Sequence, residues 1–206
     1  MLNKVFFILL LAFNLHSKNV YTFLAFGDSS IQYALSNNNS NFWATYQNRR
    51  IEYNHHTVHF NLYINCLSGK TLHGTKKIPF PLIINRALMD NNSIDAIVFS
   101  FGVNDLIWHI QKRSDEYNIS REDIIENLTL PYIQNIANIR SYYPQYQRKI
   151  VVLATLPPFR NPYINLEDHL NIYQALNNSL KKHAQDFNIL FFTSSSQCLR
   201  LRRQAL

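Results

Sequence analysis

Tyr21, Thr22, Phe23, Leu24, Ala25 and Phe26 form a nearly unbroken apolar, β-favouring run that stops at Gly27. Such a run predicts a strand buried on both faces, the kind that belongs to parallel sheets covered by helices. Residues 95–101 (DAIVFSF) repeat the pattern and stop at Gly102. Between them, Val58, Phe60, Leu62, Ile64 and Cys66 alternate with other side chains, the period of a strand with one dominant face. Residues 149–156 (KIVVLATL) and 187–192 give two further strands, the first broken off by Pro157 and Pro158.

Helical spacing fills the gaps. Leu82, Ile83, Ala87 and Met89 recur at helical spacing within residues 78–89, where Pro79 and Pro81 suit a first turn. Ser120 and Asp123 read as a capping box before Ile124, Ile125 and Leu128. That helix continues to Tyr143, with a kink or restart expected at Pro131, and Pro144 ends it. Leu166, Leu170, Tyr173, Leu176, Leu180 and Ala184 recur at the spacing of a long amphipathic helix. Residues 42–50 (FWATYQNRR) are expected as a short helix covering the sheet. Strand and helix alternate throughout, so the class is α/β with a parallel sheet.

Composition narrows the picture. The 206 residues are 47% hydrophobic and 16% charged, which suits one domain with a sizeable core. The net charge of +7 raises nucleic acid as a partner. The Lys and Arg residues are scattered, however, and bunch only at Arg200, Arg202 and Arg203. The charge therefore reads as a generally basic surface, with no nucleic-acid partner. Lys4 followed by the apolar residues 5–13 (VFFILLLAF) resembles a secretory signal peptide over residues 1–18, too short for a span of about 20 residues. That makes the chain an expected secreted or periplasmic protein, with one domain over residues 19–206 and no stable membrane span once the signal is removed.

Cys66 and Cys198 are the only cysteines and are expected to be free or incidentally paired. His55, His56 and His59 lack carboxylate or cysteine neighbours at metal-binding spacing and read as surface strand residues.

The candidate chemistry lies where strands end. Gly27-Asp28-Ser29 closes the first strand, Ser68-Gly69 follows the second, and Gly102-Val103-Asn104-Asp105 follows the third. In open α/β sheets, ligands sit outside the carboxyl ends of strands, which places Ser29 where a nucleophile is useful. Asp28 and Asp105 are expected to organise their turns by hydrogen bonding rather than to react. In joint order and spacing the three motifs resemble the SGNH/GDSL family of serine ester hydrolases, from about residue 21 to residue 192.

The resemblance implies a flavodoxin-like three-layer α/β/α fold with a five-stranded parallel sheet in the order 2-1-3-4-5. It implies an esterase, lipase or acylhydrolase that needs no cofactor or metal and acts on a small-molecule, lipid or glycan ester, as a monomer. Ser29 matches the nucleophile, with the Ser29 and Gly69 N–H groups and the Asn104 amide as the oxyanion hole. The acyl and alcohol groups stay open.

The family's late D-x-x-H motif, whose His is the general base, should follow the fifth strand. Residues 193–206 contain neither His nor Asp. A frameshift or premature stop that removes the last helix accounts for this, and one sheet face should then be partly bare. Asp168-His169 and His183 lie inside the amphipathic helix, the wrong place for the motif. A catalytically silent binding or surface-interaction protein is the alternative reading.

Overall fold

The computed structural model describes residues 20–28, 43–53, 56–67, 71–90, 94–106, 110–146, 149–155 and 166–193. Its strands are β1 (Val20–Gly27), β2 (Trp43–Tyr53), β3 (His56–Cys66), β4 (Ala96–Ser100), β5 (Ile150–Leu153) and β6 (Leu190–Phe192). The helices are α1 (Phe80–Asp90), α2 (Ile110–Tyr117), α3 (Arg121–Tyr142) and α4 (Leu166–Asp186). One sheet runs β2-β3-β1-β4-β5-β6, with every pair parallel except β2 with β3. The five parallel strands thus take the expected 2-1-3-4-5 order.

The sixth strand corrects the expected short helix over residues 42–50. Trp43, Thr45, Tyr46, Ile51 and Tyr53 are β-favouring, and β2 pairs antiparallel along the edge of β3. Its register shifts between Tyr46 and Arg49, so no clean alternation survives in the sequence.

β1 lies at the centre and is buried from Tyr21 onward, as a doubly covered strand requires. Leu24, Phe26, Ile97, Phe99, Ile150 and Val152 pack with α1, α3 and α4 in one apolar cluster. Right-handed crossovers moving one way along the sheet place those helices on a single face. Phe23, Leu62, Val98 and Val151 point to the other face and are at most 4% exposed. Toward the β5–β6 edge the same face opens, with Leu190 38% exposed and Leu153 and Phe192 half-buried.

Helix ends follow local chemistry. The Ser120 hydroxyl accepts the Asp123 N–H at 3.0 Å and donates to the Asp123 carboxylate at 2.7 Å, which caps the helix with the two residues the sequence singles out. α3 then runs unbroken through Pro131 to Tyr142, so the proline neither splits nor restarts it. The α3–α4 contact is locked at its far end by Arg140, which donates to the Phe187 and Asn188 carbonyls beyond α4. Asn188, at φ 52°, supplies the left-handed turn into β6.

Candidate active site at the carboxyl edge of the sheet

The strand register fixes where the three motifs emerge. Gly27 pairs with Cys66 on one side and Ser100 on the other. Neighbouring strands lie about 4.8 Å apart, so the three chains leave the sheet side by side. Backbone bonds seal the edge: the Leu67 N–H donates to the Gly27 carbonyl at 2.8 Å, and the Asp28 N–H to Ser100 at 3.3 Å.

Asp28 then ties the first motif to the third. Its carboxylate is fully buried, and one oxygen accepts the N–H groups of Gly102 and Val103, each at 3.2 Å. This arrangement needs glycine at position 102. Its φ of +120° strains any other residue, and a Cβ there would lie 2.5 Å from the Thr155 hydroxyl. That hydroxyl donates to the Phe101 carbonyl at 3.0 Å, while the Thr155 N–H donates to the Asn177 side-chain oxygen at 2.8 Å. A relay from α4 through Thr155 therefore holds the chain on which Asn104 sits. The turn closes with the Leu106 N–H on the Gly102 carbonyl at 3.1 Å.

Asp105 ties the third motif to the second. One oxygen of its buried carboxyl accepts the Leu72 N–H at 2.8 Å. Leu72 follows Gly69 by three residues. Burial pushes the Asp105 carboxyl up to about 7, and the nearby Asp28 charge adds to this, against the lowering effects of the Leu72 N–H and Arg113. Its second oxygen and the fully buried Tyr132 hydroxyl have no hydrogen-bond partner among the described residues. Burial, with the charges of Asp28 and Asp105, also holds the Tyr132 hydroxyl well above its ordinary range. Both aspartates organise turns by hydrogen bonding, as their positions in the sequence suggest.

Of the three site residues, Asn104 is half-buried just beyond Gly102, at the edge where it is expected. Ser29 and Gly69 lie outside the described residues, flanked on the described side by Asp28 and, at Gly69, by Leu67 and Thr71. The side chain of His169 also lies outside them. His183 is buried on α4 with Nε2 2.8 Å from a Glu126 oxygen, off the line of a well-formed hydrogen bond, and Nδ1 3.5 Å from Asp186. It sits six residues past Asn177, about 9 Å along the helix from the carboxyl edge. Burial alone would raise the Glu126 carboxyl, but the close approach of His183, the hydrogen bond from Ser179 and the Lys182 charge bring it below its ordinary value. His183 therefore joins α4 to α3.

The model of the GDSL-like lipase/acylhydrolase family matches residues 25–203. The chain belongs to that family. The match takes in all three motifs. Among solved structures, a lipase/acylhydrolase from Enterococcus faecalis aligns at 11% identity and TM-score 0.40, over 83% of this chain and 74% of that one. A psychrotrophic esterase from Pseudoalteromonas aligns at 11% and 0.39, over 86% and 78%. An acetylxylan esterase from Geobacillus stearothermophilus aligns at 12% and 0.43, over 83% and 74%. No curated protein matches the chain. At these identities and scores the family assignment rests on the family match and the edge geometry.

Several residues of this GDSL-like edge carry no motif. Leu72 contributes only an N–H, which any residue except proline offers. Thr155 and Asn177 act across 22 positions and sit in stretches whose apolar neighbours dominate the pattern. Asn65 has a buried side-chain oxygen without a partner among the described residues. It interrupts an otherwise apolar strand end, and that interruption is the one signal the sequence held.

Proposed function

We propose that this chain is an exported serine ester hydrolase that works through an acyl-enzyme on Ser29. The supporting observation is the register that sets Gly27 between Cys66 and Ser100, so that the segments carrying Ser29, Gly69 and Asn104 start from one edge. In this reading the Ser29 Oγ attacks the ester carbonyl carbon and gives up its proton to a base. The resulting oxyanion is met by the Ser29 and Gly69 N–H groups and the Asn104 amide, donors that each contribute about 3–4 kcal/mol in such sites. The C–O bond to the alcohol breaks, the alcohol leaves with a proton, and water releases the acyl group from Ser29. Metal and cofactor have no part in these steps. The ester is a small molecule, a lipid or a glycan, and the protein acts as a monomer.

The general base is unassigned. Residues 193–206 hold no His and no Asp, and His183 is occupied between α4 and α3. That composition also favours a second reading, a catalytically silent protein that keeps the fold to bind an ester-bearing lipid or glycan. No described helix is long and apolar enough to cross a membrane. Lys4 and the apolar residues 5–13 support export and release of the mature chain outside the cytoplasm.

Hydrolysis of p-nitrophenyl acetate by the chain as it stands, and by a fusion bearing a D-x-x-H tail, separates the two readings. The hydrolase reading expects slow turnover that the tail raises by roughly 10²–10⁴-fold, the contribution of a positioned base. A folded fusion with no gain in turnover favours the silent protein.

A further inference from the structure

We infer, resting on the serine-hydrolase reading above, that Asp105 is a positioning residue that latches Leu72, three residues past Gly69, onto the turn bearing Asn104. The latch is the bond from the Leu72 N–H to the Asp105 carboxyl, which spans 33 positions of chain. Leu72 is pinned from the other side as well. Its carbonyl accepts the Thr75 hydroxyl at 2.6 Å, and the Thr75 carbonyl accepts the Asn135 amide of α3 at 3.2 Å. The segment leading away from Gly69 is thus rigid from Leu72 onward, and Asp105 sets where it lies relative to Asn104.

The cost of this arrangement argues for a role beyond stability. Asp105 is fully buried beside a second buried carboxylate, Asp28, and leaves one oxygen without a partner among the described residues. An apolar residue would avoid both penalties. What it would not supply is an acceptor for Leu72 whose strength changes with its charge. A carboxylate accepts an N–H more strongly than the neutral acid does.

The groups facing Asp105 are Asp28 at the end of β1, Arg113 on α2, Tyr132 on α3 and the Leu72 N–H. Arg113 and the Leu72 N–H favour the charged form, while burial and Asp28 oppose it, which puts the change of state near neutrality. The latch tightens as pH rises through that range. A donor displaced by about 1 Å costs roughly 100-fold in rate, so the tightening shows in turnover and not only in folding.

Two measurements on the full chain test this. The first is amide hydrogen exchange at Leu72 from pH 5.5 to 8.5, read against the Ile189 amide, whose partner is the Ala184 carbonyl at 2.7 Å. Leu72 protection should grow relative to Ile189 as pH rises in the wild type, and stay flat in Asp105→Asn. Parallel behaviour of the two amides in the wild type overturns the latch, even if the variant does not fold. The second is the pH profile of p-nitrophenyl acetate hydrolysis. Asp105→Asn should lower kcat by roughly 10–100-fold at pH 8, keep KM within about twofold and remove the rise through neutrality.

Ser29→Ala separates loss of the nucleophile from loss of the positioning role. If it hydrolyses as fast as the wild type, the serine-hydrolase reading fails and this inference with it. If it is inert while Asp105→Asn keeps the wild-type profile, only the positioning role fails.

Discussion

The Asp28 carboxylate accepts the Gly102 N–H at 3.2 Å, joining positions 74 residues apart at the ends of two adjacent parallel strands. The same oxygen takes the Val103 N–H, so one buried charge orders the backbone entering Asn104. Asp28→Asn keeps an acceptor but removes that charge. Hydrogen bonds to charged groups are worth about 1.5–3 kcal/mol, so a loss of roughly 2 kcal/mol in urea unfolding is expected. Because the Asp28 charge helps hold Asp105 up, the Asp105 titration should also move to lower pH in this variant. An unmoved titration would show that the two carboxyls do not sense each other.

Gly102→Ala should destabilise the protein by about 2–4 kcal/mol, through the strained φ and the approach to Thr155. Denaturant unfolding gives the figure. The double variant with Thr155→Ser, which removes the methyl 3.3 Å from the built Cβ but keeps the hydroxyl at 2.5 Å, should recover little of it. Full recovery would trace the strain to the methyl alone.

Stability should also depend on pH through Asp105. Its carboxyl stands at about 7 in the fold against 3.8 for the free group, so the folded state holds the proton more tightly. The stabilisation from the neutral form is complete below 3.8, declines as pH rises through the window to about 7, and is then spent. The limiting slope is ~1.4 kcal/mol per pH unit. Asp105→Asn, which stays neutral, should therefore gain on the wild type between pH 4.5 and 6.5. A constant difference between the two across that range contradicts the burial argument.

Ser120→Ala removes the hydroxyl that caps α3 and should cost about 1 kcal/mol in unfolding free energy, with the site unaffected. A cost near zero would mean that Asp123 alone orders that helix end.

Much of this architecture was legible because its causes are local or periodic. The run from Tyr21 to Phe26 reads as a doubly buried strand, since every side chain in it is apolar or β-favouring. The cap at Ser120 is a three-residue relationship, and the stop at Gly102 is a conformational demand that only glycine meets. β2 was missed for the opposite reason. Its irregular register near Tyr46 hides the alternation, and only pairing with β3 makes it a strand. No restart follows Pro131, because the surrounding packing of Ile125, Leu128, Tyr132 and Ile136 carries the helix past it. At the site, the motifs showed which turns matter, but not the bonds between them. Asp28 with Gly102, Asp105 with Leu72 and Thr155 with Asn177 are long-range pairs that no spacing encodes.

A nucleophile at Ser29 should be open to covalent capture. A fluorophosphonate probe incubated with the full chain, followed by peptide mapping, should place one adduct on Ser29 and none on the Ser29→Ala variant. No adduct on the folded wild type, or equal labelling of the variant at another residue, would contradict the account.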